Sequence, residues 1–320
     1  MKKKILVTGS AGYIGSHLAY GLLKNKNYKI DIIDNLSNSN INVIKKIKNK
    51  FPKQVKFYKL NLSNFKKINS IFIKNKYDIV IHLAAKINAE ESFKKKKIYK
   101  KINLDVSKKI FKLCKKNKVK NIIFASSAAV YGNVKVKKVS EKHDSNPINP
   151  YGKFKLLSEK NLISIVKKDM NYAILRFFNV AGISSHFKNN FKNRSSIFFK
   201  LDRHIQNKSK IFKVYKSKTN TKDGSCERDF IHILDIVKII KILINKKKYR
   251  LLLNCGTGEN YSILNVINKF EKITNYKINF KMEKFRQGDP SSVISDNKLL
   301  KKTLSIKKFK NLKNICNDFS

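Results

Sequence analysis

The sequence predicts an α/β fold: a doubly wound parallel sheet with a smaller C-terminal α/β lobe. Three observations predict it. Through the first half of the 320 residues, short apolar strands alternate with amphipathic helices, the rhythm of a parallel sheet with helical crossovers. The first strand runs without a break into a glycine-rich turn and then a helix. Beyond about residue 178 the alternation gives way to an irregular succession, which marks a second lobe.

KKILVTG (3–9) is the first strand. GYIGSHLAYGLLKNK (12–26) is a helix whose Ile14, Leu18, Leu22 and Leu23 share one face. KIDIID (29–34), VKFYKL (55–60), DIVIHLAA (78–85) and KNIIFASS (120–127) are strands two to five, with helical stretches between each pair. YAILRFFNVAG (172–182) is the sixth, and ISSHFKNNFKNRSS (183–196) is a polar loop. The division falls into a first domain over 1–178 and a second lobe over 179–320, some segments of which return to the first domain. No internal repeat and no long Gly/Ser or Pro linker interrupts the chain.

Charge is the unusual bulk property: 72 Lys+Arg against 21 Asp+Glu, a formal net charge of +51. A basic chain carries the electrostatic footprint of a phosphate binder. Here the lysines are spread through every segment, and the chain has no Trp and four Pro. That pattern reads as an A/T-rich coding bias, so no specific nucleic-acid partner is expected. Lys94–Lys97 and Lys246–Lys248 are solvated faces. The hydrophobic content of 42% suits a folded domain. Cys114, Cys226, Cys255 and Cys316 lie far apart without metal-ligand spacing and read as buried thiols in a reducing compartment. The apolar run in MKKKILVTGS is too short for a signal segment, and no stretch has the length of a membrane span. No membrane association, no metal and a cytoplasmic location are therefore expected. His17, His82 and His232 read as core residues; His143, His186 and His204 read as exposed.

Gly9-Ser-Ala-Gly12-Tyr-Ile-Gly15 lets the backbone turn tightly at a helix N-terminus and approach a pyrophosphate. Asp34 ends the second strand about 20 residues on, where a carboxylate bonds adenosine ribose hydroxyls and favours NAD over NADP; as part of "DNLSNS" it also reads as a turn aspartate. Ser127 closes the fifth strand, at the carboxyl edge where such sheets bind ligands. Tyr151 and Lys155 in NPYGKFK are four apart on a helix and share a face. A phenol ordinarily titrates near 10, and a neighbouring ammonium favours the phenolate. In a chain so rich in lysine this pair alone also fits a chance surface contact. Together, serine, tyrosine and lysine form an acid/base set for moving a hydride at an alcohol carbon.

Gly9–Gly15, "DNLSNS", "HLAA", "SSAAVYG", "NPYGKFK", "LRFFNVAG", "ERDFIHILD" and "RQGDP" resemble, in order and over nearly the whole chain, the extended short-chain dehydrogenases/reductases, and within them the UDP-hexose 4-epimerases. The resemblance implies a Rossmann domain over 1–178, a nucleotide-sugar lobe over 179–320, and interconversion of UDP-glucose and UDP-galactose through a 4-keto intermediate with tightly held NAD. UDP-N-acetylhexosamine or a UDP-uronate is the alternative substrate; a nucleic-acid binder on an inactive scaffold is the distant one. By resemblance Tyr151 is the base, Lys155 its tuner and Ser127 the hydroxyl partner of the sugar O4. Gly9, Gly12, Tyr13, Ile14, Gly15, Asp34, Asn35, Leu36, Asn38, Ser39, Asn61, Leu62, Leu83, Ala84, Ala85, Asn103 and Phe178 line the NAD, with Tyr151 and Lys155. Asn179, Arg228, Arg286 and Asp289 hold the nucleotide diphosphate and its ribose, and Val293 sits beside the sugar's 2-substituent. A homodimer is implied through helices near 104–118 and 152–168, with Val106, Ile110, Phe111, Leu113, Cys114, Leu157, Leu162, Ile165 and Val166 as its apolar faces.

The chain departs from the pattern in places. Asn61 stands for an aspartate, Ile87 for a lysine, Glu90 for a glycine and Phe177 for a tyrosine; the 183–196 loop is short, and Ser196 stands near where an asparagine meets a phosphate. Ser127-Ala128-Ala129 lacks the acidic pair with which sibling dehydratases eliminate water.

Overall fold

A computed structural model describes residues 2–166, 170–188, 190–191 and 195–320. Parts of the expected 183–196 loop and the end of the expected 152–168 helix lie outside the described residues.

The chain runs β1 (Lys3–Thr8), α1 (Tyr13–Leu23), β2 (Tyr28–Asp34), α2 (Ile41–Lys50), β3 (Val55–Lys59), α3 (Phe65–Asn75) and β4 (Ile79–His82). Then come α4 (Ala89–Lys94), α5 (Lys96–Tyr99), a π-helical turn at Lys100–Asp105, α6 (Val106–Lys116) and β5 (Asn121–Ser127). A 3₁₀ turn (Ala128–Val130), α7 (Pro150–Val166) and β6 (Asn171–Phe177) follow. The seven-stranded sheet has the order β11-β6-β5-β4-β1-β2-β3, with every pair parallel. Its seventh member, β11 (Arg250–Cys255), comes from the C-terminal half of the chain.

Strand periodicity places the core. In β1, Ile5 and Val7 face one side and Leu6 the other, and in β4 Ile79 and Ile81 oppose Val80. Ile5 and Val7 pack with Leu18 and Leu22 of α1, and with Ile236 and Ile240 of α9 (Ile233–Asn245). Leu6 and Val80 pack with Phe72 of α3, Ile110 and Phe111 of α6, and Leu162 of α7. Helices on both faces define the doubly wound layer, and its structural class is that read from the sequence.

Three expectations are corrected. The stretch 172–182 is two strands: β6 ends at Phe177, and β7 (Asn179–Ala181) leaves the large sheet to pair with β10 (Phe230–His232). The break falls where the Phe178 amide still bonds Cys255 O at 3.1 Å while the Asn179 amide turns to Asp229 O at 3.0 Å. His204 is buried, edge-on to Phe212. Val106, Ile110, Phe111, Cys114, Leu162 and Val166 are not free for a partner, because they cover the sheet within this chain. Leu113, Leu157 and Ile165 remain partly exposed on those helices.

The C-terminal half also carries α8 (Ile197–Gln206), β8 (Phe212–Tyr215), β9 (Glu227–Arg228), β12 (Tyr261–Ser262), α10 (Ile263–Thr274), β13 (Phe280–Glu283), β14 (Ser292–Val293), α11 (Lys298–Leu304) and α12 (Leu312–Asn317). β9 lies between β12 and β14, and β8 pairs with β13. Among the described residues no helix is long and apolar enough to cross a membrane.

Candidate active site

The turn after β1 depends on glycine for space and angle. Gly9 has φ +72°, and a Cβ there would lie 2.7 Å from the Ala84 amide nitrogen. A Cβ on Gly15 would overlap the Gly9 carbonyl and sit 2.6 Å from Ser10 Cα. Strand, turn and helix thus meet backbone to backbone, and α1 begins at Gly12 with no side chain capping its N-terminus. At the end of β2, Asp34 accepts from the Ala11 amide (3.0 Å), the Leu36 amide (2.7 Å) and Ser39 Oγ (3.1 Å). It ties the glycine turn to the following loop and holds Leu36 in the left-handed region at φ 62°. A carboxylate has about four acceptor positions, so one remains for a ligand hydroxyl. Asn35 and Asn61 each cap a turn, accepting from Ser37 N and Ser63 N. Asn38 and Asn61 are exposed and Leu62 is buried. Ile14, Leu83, Ala84 and Ala85 are partly exposed around the turn.

Two residues expected against the cofactor have other occupations. Tyr13 is 4% exposed; its hydroxyl donates to Gly182 O and its ring packs edge-on to Phe191 and Phe199. Asn103 is fully buried, with its amide exchanging two 2.8 Å bonds with the Lys86 backbone. It therefore holds the loop after β4 in place. Its own carbonyl, in the π-helical turn, accepts from Ser107 Oγ (2.7 Å) and Ser158 Oγ (2.8 Å).

β5 and α7 bring Ser127, Tyr151 and Lys155 together. Pro150 occupies the first helical position, and Asn149 Oδ1 accepts from the Gly152 amide at 2.8 Å, capping α7. Asn149 Nδ2 also donates to Gly288 O (3.0 Å), linking the tyrosine's helix to the turn that carries Arg286 and Asp289. Gly152 presses α7 against the 3₁₀ turn: a Cβ would overlap the Ala129 carbonyl oxygen and lie 2.9 Å from its carbon. The Tyr151 amide donates to Ser92 Oγ of α4 at 3.2 Å. Neither Asn149 nor Gly152 was singled out by sequence reasoning, although both sit inside NPYGKFK.

Electrostatically the trio differs from the simple stacked pair. Burial pushes the Tyr151 phenol up, and a hydrogen bond with Ser127 opposes that rise. Lys155 is 3% exposed; its Nζ donates to Ala125 O at 2.6 Å and lies 4.8 Å from the Phe124 ring centre. Burial pulls its amine down to about 7, with the Glu159 carboxylate acting the other way. The group acting directly on the phenol is thus Ser127, while Lys155 is committed to the strand.

The other predicted residues form a second group. Arg228 Nη2 meets Asp289 Oδ1 at 2.5 Å, and Nη1 donates to Glu227 O and Ser291 O. Arg286 stacks on Tyr215 at 4.0 Å and faces Glu90 at 3.9 Å, along a cleft of about 370 Å³. Asn179 Nδ2 donates to Asp229 O at 3.2 Å. Val293, 5% exposed, packs with Val130, Tyr131, Val139 and Phe178, so Phe178 and Val293 share a small core. Asp229 was missed: fully buried, it accepts from Thr257 N and Oγ1, Gly258 N, and Ser295 N and Oγ. That buried carboxylate fixes β9 to the strand end at Gly256–Gly258 and to the segment after β14; the signal was the Arg-Asp pair in ERDF.

Residues 5–256 match the model of the NAD dependent epimerase/dehydratase family. The chain belongs to that family. It is 31% identical to the UDP-glucose 4-epimerase of Dictyostelium discoideum, over 98% of this chain and 94% of the relative. The solved UDP-glucose 4-epimerase from Bifidobacterium longum, in complex with NAD+ and UDP, superposes with a TM-score of 0.92 at 29% identity, covering 99% and 97% of the two chains. The UDP-Glc/GlcNAc 4-epimerase from Campylobacter jejuni superposes at 0.83 with 31% identity, over 99% and 98%. The family is NAD-dependent, and the Cβ-forbidding turn at Gly9 and Gly15, the uncapped α1 N-terminus and Asp34 suit a dinucleotide in this chain.

Proposed function

We propose that the protein is an isomerase that interconverts UDP-glucose and UDP-galactose at C4. The observation that carries this reading is the placement of Ser127, Tyr151 and Lys155 at the carboxyl edge of β5, on the edge that also bears the glycine turn and Asp34. Bound NAD would supply the reversible hydride chemistry at C4, with no net redox change. Gly9, Gly12, Gly15, Asp34 and the Leu83–Ala85 loop would hold it.

The chain's own residues manage the proton. Ser127 Oγ and the Tyr151 phenol converge where the sugar O4 would lie. Tyr151 takes the O4 proton as C4 becomes a ketone and gives it back when the alcohol re-forms on the other face. The buried Lys155 amine, when protonated, stabilises the phenolate between those steps. Arg228 and Arg286 suit a diphosphate, and Asp289 suits the ribose diol; on binding, Asp289 exchanges its ion pair with Arg228 for those hydroxyls. Ser127-Ala128-Ala129 supplies no acid for elimination, which separates this chain from dehydratases. We assign residues 179–320 chiefly to nucleotide-sugar binding, with α9 and β11 serving the sheet, and infer a cytoplasmic homodimer that uses α6 and α7.

A second reading, turnover of UDP-N-acetylhexosamine, is favoured by the small side chain at Val293. Incubating the protein with UDP-galactose and, separately, UDP-N-acetylgalactosamine and resolving the epimers tests both readings.

A further inference from the structure

Below Tyr151 and Lys155 the same helical face carries Glu159, one more turn along α7, and Glu159 is 3% exposed. Its carboxylate receives Arg176 of β6 through Nε at 3.1 Å and Nη2 at 2.7 Å, and it also accepts from Ser126 Oγ. Arg176 is 4% exposed and lies over the Tyr131 ring at 4.7 Å. Ser126 and Arg176 are directly paired in register across β5 and β6. Ser126 also sits between Ala125, whose carbonyl takes the Lys155 amine, and Ser127, which meets the phenol. Glu159 therefore grips the strand midway between the two contacts the chemistry needs.

We propose that Glu159, clamped by Arg176 and Ser126, is a positioning residue that holds Lys155 against β5 and supplies the negative charge that keeps its amine protonated beneath Tyr151. The groups around Lys155 leave that task to Glu159. On its own helix Tyr151 is a buried phenol pushed upward, hence neutral. From β4 comes His82, fully buried between Thr8 Oγ1 (2.7 Å) and Ser107 Oγ (3.0 Å) and pulled down to about 3, hence also neutral. β5 offers the Phe124 ring and the Ala125 carbonyl. Tyr99 of α5 lies beside Tyr151, with its hydroxyl donating to Glu91. Arg176 reaches Lys155 only through Glu159. Among the described residues Glu159 is the anion that acts on the amine. Without it, burial alone drives Lys155 to shed its proton.

The kinetic part of the test rests on the epimerase reading; the melting part does not. Two variants are compared with wild type: Glu159→Gln, and the double change Glu159→Met with Arg176→Met, which replaces a buried ion pair by apolar volume and so retains the fold. In either variant the alkaline limb of kcat with UDP-galactose is expected to move to lower pH by about 1 unit or more. The second readout is the wild-type Tm minus that of Lys155→Met across pH 5–10, repeated in the double-Met background. The folded amine titrates below the unfolded one, so stability due to Lys155 rises with pH between the two values. Loss of Glu159 should start that rise at lower pH. An alkaline limb and an onset that both stay in place in the folded double variant would overturn the proposal. If wild type turned over no UDP-sugar, the epimerase reading would fall while the melting comparison still decided the role of Glu159.

Discussion

Substituting Gly152 by alanine isolates what brings the trio together. The added Cβ would meet the Ala129 carbonyl carbon at 2.9 Å and Pro147 Cβ at 3.0 Å, and would overlap the Ala129 oxygen, whereas ordinary contact begins at 3.4 Å. The first turn of α7 must therefore withdraw from the 3₁₀ turn by at least ~0.5 Å, and by more to clear the oxygen. Ser127 precedes that 3₁₀ turn and Tyr151 precedes Gly152, so the separation opens between the two hydroxyls. A misplacement of about 1 Å costs on the order of 10²-fold in rate. Stability should change little: overpacking costs about 1–3 kcal/mol, while alanine in place of glycine returns up to about 1 kcal/mol of helix propensity. The assay is kcat and KM for UDP-galactose beside a thermal melt. Gly21→Ala serves as control, since its Cβ meets the end of the Val237 side chain at 2.7 Å, far from the site. The expected result is kcat down by about 10² with a Tm shift of a few degrees. A kcat within two- or three-fold of wild type would refute the close approach as the source of the geometry.

Tyr151→Phe should fold normally and lower turnover by about 10²–10⁴, the range for a positioned acid/base; near-normal activity would remove Tyr151 from the chemistry. Val293→Tyr should cost about 1–3 kcal/mol of stability by overfilling the Val130–Phe178 cluster, as well as blocking any N-acetyl substrate; an unchanged melt would show that the side chain turns out of the core. The proposed dimer should weaken at low salt, because Lys108, Lys109, Lys112, Lys115 and Lys116 gather on α6 and their repulsion is screened only by ions. Sedimentation at about 0.02 M and 0.5 M salt checks this, and equal affinities would remove the electrostatic part of the claim.

Patterns set by local chemistry were legible in the sequence. Alternating apolar runs located the strands, and glycine spacing located the turn that a Cβ would block. Tyr151 and Lys155 were legible as neighbours on one helical face. What the sequence hid depended on long-range partners. Arg250–Cys255 looks like any short apolar run until it pairs with β6. The apolar residues of α6 and α7 read equally well as a dimer surface, and only the folded sheet shows that Val106, Ile110, Phe111, Cys114, Leu162 and Val166 are consumed inside the chain while Leu113, Leu157 and Ile165 stay partly exposed. Lys155 could be expected near Tyr151, but its bond to Ala125 and its dependence on Glu159 arise from β5 and β6 lying beneath the helix. Asn103 carried the right residue type for a cofactor contact, yet its amide is spent on Lys86.

The most direct test of the account is to incubate the purified protein with UDP-galactose and no added nucleotide, and to extract the denatured protein for bound cofactor. Formation of UDP-glucose, together with NAD or NADH recovered in near-stoichiometric amount, is the predicted result. No epimer formed with or without added NAD, from a folded protein, would contradict it.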